Sequence, residues 1–288
     1  MANLSGLKAE IESISDIGKI TGAMELVATA KLRKIQKRAL GISEYVTEVY
    51  SLFNEIIVNS EKSKYLRSNA DGLKKTLYVV VNSNLGLCGG YNSNLNKLVK
   101  SEIKNTDEVY AIGTKAVSFC KNNHLKIKRQ DLSVDVNFSS EQARQIATDV
   151  LALYNSGEFD EVKLAYTKFV NSILMEPVIL RIFPIIKVNE AKAEKVETSE
   201  AHAPLEFEPD PETVLSSSVS LYLNTIIFGT IIESQLSEQT SRRTAMEAAT
   251  KNGKDLKAML NLLFNRKRQA AITQEISEIV SGADAQEN

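Results

Sequence analysis

The sequence predicts an α/β protein in which a long helix at each end of the chain pairs with the other as an antiparallel coiled coil, with a small α/β domain between them. Three observations lead there. Apolar residues at both ends recur at alternating three- and four-residue spacing. The middle of the chain changes to short β-branched runs alternating with helical segments. No proline precedes Pro177 or follows Pro211.

Residues 1–60 form the first helix. Leu4, Leu7, Ile11 and Ile14 begin a seam that shifts to Ile17, Ile20, Met24 and Val27 and resumes at Leu32, Ile35, Ala39, Ile42, Val46, Val49, Phe53 and Ile56. At 1.5 Å per residue the helix is roughly 80 Å long. Gly18, Gly22 and Gly41 weaken it locally, each by about 1 kcal/mol relative to alanine.

Residues 74–188 form the central domain. Thr76–Val81 reads as a buried strand; a Gly-rich turn and a helix over 92–104 follow. Val109–Ile112 is a second strand, 115–123 a helix, and 125–128 a third strand. Ser139 is the N-cap of a helix reaching Tyr154. Strands over 162–169 and 178–182 complete a largely parallel sheet. Residues 189–210, rich in Glu, Ala and Lys, read as a mobile acidic surface loop.

The second long helix spans 211–283. Met246, Ala249, Gly253, Leu256, Leu260, Leu263, Lys267 and Ala270 carry its heptads, and Ile272, Ile276, Ile279 and Val280 form an apolar stripe beyond them. The uncharged run 213–232 is long enough to suggest a membrane span. Its serines, Asn224 and Thr225 make it instead a buried helix of a soluble fold.

Composition narrows the function. The 288 residues carry a formal net charge of −1, which gives no global case for nucleic-acid binding. Two cysteines fit a reducing compartment rather than a disulfide framework. The N-terminus reaches charges too early for a secretory signal. The turn Gly86-Leu87-Cys88-Gly89-Gly90 lies where an α/β fold often binds nucleotide, yet its spacing matches neither a dinucleotide fingerprint nor a phosphate loop. It reads as a structural turn. Cys88 as a nucleophile would need a base, and His124 and His202 have no evident reason to approach it. No metal spacing is present. Enzyme activity, cofactor and metal are therefore not expected. Basic clusters at Lys31, Arg33, Lys34, Lys37 and Arg38, and at Arg242, Arg243, Lys251, Lys254, Lys257, Arg266, Lys267 and Arg268, load the helices with positive charge suited to acidic protein partners.

These residues also carry a resemblance. Lys19-Ile20-Thr21-Gly22-Ala23-Met24-Glu25-Leu26-Val27-Ala28-Thr29-Ala30-Lys31-Leu32-Arg33, the Gly86–Asn92 turn, Ser237-Glu238-Gln239 with Arg242, and Asn265 through Ala283 resemble, in order, four motifs of the gamma subunits of F-type ATP synthases. The resemblance implies a coiled-coil rod with a small Rossmann-like α/β foot. It further implies a rotor without an active site of its own, turned by a membrane ring of c subunits driven by H+ or Na+ flow. The rod would lie inside three alpha and three beta subunits, with epsilon beside the foot, on the cytoplasmic face of the cell membrane and attached to it only through partners. Arg268 and Gln269 fall on positions that hold a catch loop of beta, Met24 and Arg242 face its acidic lever, and Thr273 lies within the upper sleeve. Ile272, Ile276, Ile279 and Val280 form the bearing tip, and Phe207 and Glu208 match a loop near the c ring. The chain departs from the family pattern at Asn84-Leu85, Glu12, Asp16 and Lys267, which leaves open the rotor of a specialised ATPase without the usual ion-driven ring. A coiled-coil scaffold is the other alternative.

Overall fold

The computed structural model describes residues 2–60, 63, 65–67, 75–186 and 207–287. Its two long helices are α1 (Ala2–Asn59) and α5 (Pro211–Glu287). Contacts divide the chain into two units: residues 31–241, and the helical segments 1–30 and 242–288.

In the first unit, a five-stranded sheet has the order β4-β3-β2-β5-β6. β2 (Thr76–Val81), β3 (Glu108–Ile112), β4 (Lys126–Asp131) and β5 (Glu161–Phe169) run parallel, and β6 (Met175–Phe183) returns antiparallel to β5. β2 sits at the centre with every residue buried, which is why it reads as an unbroken apolar run. Its side chains alternate between two cores. Leu77, Val79 and Val81 pack with Ile35, Phe53, Leu215, Leu223 and Ile227 of the long helices and with α4 (Ser140–Asn155). Tyr78 and Val80 face α2 (Tyr91–Glu102) and α3 (Thr114–Asn122). A two-residue strand, β1 (Leu66–Arg67), pairs with β7 (Ile185–Ile186) and has no strong signal in the sequence.

Local chemistry sets the helix ends. Ser139 caps α4 through a reciprocal box: its hydroxyl accepts the Gln142 N–H at 3.2 Å, and its own N–H donates to Gln142 Oε1 at 2.9 Å. Asp210 starts α5 by accepting from the Thr213 N–H at 2.9 Å and hydroxyl at 2.7 Å, with Pro211 in the first turn. The uncharged stretch of α5 is long and apolar enough to cross a membrane by length and composition. However, Leu215, Val219, Leu223, Ile227 and Ile231 within it are fully buried in the protein core. The acidic loop expected over 189–210 lies, as far as residue 206, outside the described residues, and so does His202.

The helical unit is antiparallel: Thr250 donates to Thr21 at 2.8 Å and Lys257 to Ser15 at 2.8 Å, so one helix number rises as the other falls. Leu7, Ala28, Met246 and Leu260 are buried in it. The α1 seam does not shift. Gly18, Thr21, Glu25 and Ala28 carry the original heptad through, while Ile17, Ile20 and Val27 face outward. On α5 the seam runs through Gly253, Lys257, Leu260, Phe264, Lys267 and Ala271; Leu256 and Leu263 are exposed, one position off the expected register.

Candidate functional site

The Gly-rich turn follows β2. Asn82 N–H continues the ladder to the Ile112 carbonyl at 3.0 Å, and the chain then bends through Leu87 and Gly89, both at positive φ (61° and 56°). Glycine bears that conformation without cost, whereas Leu87 holds it at a steric penalty. Polar side chains fix the loop. Asn92 accepts the Ser83 N–H at 3.1 Å and donates to the Ser83 hydroxyl at 2.8 Å and to Cys88 Sγ at 3.1 Å. Asn84 accepts the Thr114 N–H at 3.0 Å and donates to the Val134 carbonyl at 2.8 Å. Its amide thus ties together the loops after β2, β3 and β4, a role needing both donor and acceptor. Gly113 at φ 88° completes the site, since a Cβ there would collide with the Asn82 carbonyl.

The geometry does not equip the turn for catalysis. Cys88 is buried, and among the described residues its sulfur meets the Asn92 amide, the Ser83 hydroxyl and the Leu85 carbonyl, none of them a base. Burial alone pushes the Cys120 thiol up to about 11, which leaves it inert at neutral pH. Among the described residues no three His, Cys, Asp or Glu side chains gather as a metal site. Gly86 lies near the Lys115 side chain, and Gly90 leaves room for the Asn94 amide. Sequence reading missed the Ser83–Asn84–Asn92 network, although its signal was present as three polar residues bracketing the glycines.

The other candidates lie on the helices. Arg268, Gln269 and Thr273 are exposed, and the Thr273 hydroxyl donates to the Gln269 carbonyl at 3.0 Å. Ile272, Ile276, Ile279 and Val280 are exposed as well, an apolar row that the described residues leave uncovered. Met24 is half-buried. Arg242 is only 7% exposed, so little of it is available to a partner. Phe207 packs against the core of the sheet-bearing unit, whereas Glu208 is exposed.

The basic clusters are less free than composition suggests. Arg38 donates to the Val136 carbonyl at 2.8 Å and to the Phe138 carbonyl, and Lys34 to Asn137 at 2.6 Å. These cations anchor α1 to the loop before α4. Lys31 and Lys267 are half-buried, and Arg33, Lys37, Lys251, Lys254, Arg266 and Arg268 remain exposed. Asp16 is matched locally by Lys19 at 2.8 Å.

A family model described as ATP synthase matches residues 3–286. The chain is 58% identical over 285 residues to the ATP synthase gamma chain of Mesoplasma florum, covering 99% of each chain. It is 57% identical over 285 residues to that of Mycoplasma capricolum subsp. capricolum, again covering 99% of each. Among solved structures, a chain of the Euglena gracilis mitochondrial ATP synthase OSCP/F1/c-ring assembly aligns with a TM-score of 0.72 at 20% identity, over 99% of this chain and 95% of that one. A chain of the Tetrahymena thermophila mitochondrial ATP synthase central stalk and c-ring aligns with a TM-score of 0.57 at 22% identity, over 80% and 99%. At those identities the solved structures establish a shared fold. Identity over nearly the whole chain leaves the scaffold and the specialised rotor without a supporting observation.

Proposed function

The chain belongs to the ATP synthase gamma-chain family, and on that premise we propose that it is the central rotor shaft of an F-type ATP synthase. It is a subunit without an active site, and it couples rotation of a membrane c ring to ATP synthesis or hydrolysis at the beta subunits. Its partners are three alpha and three beta subunits, epsilon and the c ring. It sits on the cytoplasmic face of the cell membrane, held there by those partners.

The observation that carries this reading is the outward row Ile272, Ile276, Ile279 and Val280 near the end of a 77-residue helix. An apolar row left exposed on a helix, where every described residue from 272 to 282 is exposed, calls for a cover. A greasy collar suits a turning shaft, because dispersion contacts fix no register, whereas directional bonds would lock it. Directional contacts belong lower down, where they can be made and broken as the shaft turns. Arg268 and Gln269 present a guanidinium fork and an amide side by side for a catch loop of beta, and Thr273 lies one turn further along. Met24, half-buried, leaves part of its side chain for beta's lever. Arg242, already buried, contributes by holding α5 in place. Glu208 is the exposed group of the c-ring-side loop and Phe207 is its anchor, while Gly86, Cys88, Gly89 and Gly90 shape a structural turn.

The test is mild-detergent purification of the chain from its native membranes, with partners quantified by mass spectrometry. Recovery with alpha, beta, epsilon and c subunits, at one copy per three beta, supports the rotor. Recovery with no alpha–beta hexamer overturns it.

A further inference from the structure

A trough of about 590 Å³ opens in the sheet-bearing unit between α1, α5 and the β5–β6 edge. Its size is that of small-molecule pockets. At its floor α1 and α5 approach closely: an added Cβ at Gly229 would press on Val46 Cγ2 at 3.1 Å, so glycine lets the two helices meet there. The walls are mainly apolar, and three aromatic rings, Tyr50, Tyr166 and Phe169, line them.

One carboxyl group, that of Glu233, reaches this apolar space. It accepts the Phe169 N–H at 3.2 Å and a hydrogen bond from Tyr166, which uses about half of the roughly four lone-pair sites of a carboxylate. Burial pushes it above the usual glutamate range, outweighing the hydrogen bonds from Phe169 and Tyr166 and the charge of Lys168. A cation, Lys168, lines the same trough and partly offsets the Glu233 charge, but its side chain is exposed, so water and salt screen it.

Aromatic rings beside a buried carboxylate with lone pairs to spare, in a mainly apolar trough, are the chemistry that recognises organic cations. We propose that this trough binds an alkylammonium-type organic cation, its head between Glu233 and the aromatic rings and its alkyl tail along Ile42 and Ile226. Such a ligand supplies the missing charge to Glu233 and fills the apolar wall in one step. An alkyl carboxylate would meet Glu233 with like charge, and an alcohol of equal length would gain only the wall.

The probe is hexyltrimethylammonium, titrated calorimetrically into the purified full-length chain and into the assembled complex, with hexanol and hexanoate as controls of equal tail length. The expected result is saturable one-to-one binding of the cation. Glu233→Gln should weaken it about tenfold, the loss of one charge-assisted contact, while hexanol binding stays unchanged. Lys168→Gln should leave it equal or tighter. Ser43→Phe, at an exposed position on the trough wall, should block cation and alcohol alike without disturbing the core. Hexanoate binding as tight as the cation, indifference to Glu233→Gln in a variant that melts like the parent, or no saturable binding to the complex would each overturn the assignment.

Discussion

Consider truncating two isoleucines on the same helix, Ile35 and Ile20. Both fit a helical apolar pattern, yet Ile35 is 0% exposed in the core and Ile20 is 59% exposed. Ile35→Ala removes three carbon groups from a packed site. At about 0.8 kcal/mol per methylene-sized group the transfer loss is about 2.4 kcal/mol. The unfilled cavity raises the total toward the 2–5 kcal/mol typical of such truncations. Ile20→Ala removes surface that water already reaches, and alanine is the better helix former, so the isolated chain should change by less than about 0.5 kcal/mol. The assay is urea unfolding of the isolated chain followed by far-UV circular dichroism, with the slope checked for constancy between variants. In the assembled complex the order should reverse for coupling, because Ile20 faces outward. Equal destabilisation of the isolated chain by the two changes would refute the seam described here and favour a packed position for Ile20.

Three further outcomes follow from the same structure. Ser139→Ala removes the hydroxyl that accepts the Gln142 N–H, leaving only the backbone half of the α4 capping box, and should cost about 1 kcal/mol, read as a lowered thermal midpoint of the isolated chain. Glu233 has a folded pKa above its ordinary 4.5, so the folded state binds the extra proton. Stability should therefore be full below that value and fall as pH rises through the raised folded pKa, and Glu233→Gln should remove this slope in denaturation curves taken across the acid range. Replacing Arg268 and Gln269 together by alanine should leave the isolated chain as stable as the parent to within about 0.5 kcal/mol, since both are exposed, while ATP synthesis or assembly falls. Unimpaired synthesis in a complex carrying the double change would remove the catch from the account.

Much of the fold was legible because burial leaves a plain pattern. Thr76–Val81 announced a central strand by being apolar on both faces, and Ser139 with Gln142 announced a helix start through chemistry confined to four residues. The parallel order of β2 to β5 followed from alternating strands and helices. What the sequence hid was orientation around the helix axis. Ile17, Ile20 and Val27 are apolar yet exposed, so apolarity alone mistook an outward face for the seam. Lys257 and Lys267 occupy seam positions because a long aliphatic stem can pack while its ammonium reaches an edge, as Lys257 does toward Ser15. The two-residue strands β1 and β7 are too short for any periodicity. The Asn84 tether depends on three loops meeting, which no local pattern encodes. The residues proposed for the shaft and tip come from resemblance alone; what the structure adds for Arg268, Gln269, Thr273, Ile272, Ile276, Ile279 and Val280 is their exposure.

The central claim is that this chain turns inside a ring of alpha and beta subunits. The most direct measurement fixes the alpha–beta hexamer of the purified complex to a surface, attaches a bead to an engineered cysteine at exposed Glu208, and follows the bead under ATP. The account predicts rotation in one direction with three dwells per turn, one for each beta subunit. A bead that stays fixed while the same complexes hydrolyse ATP would contradict it.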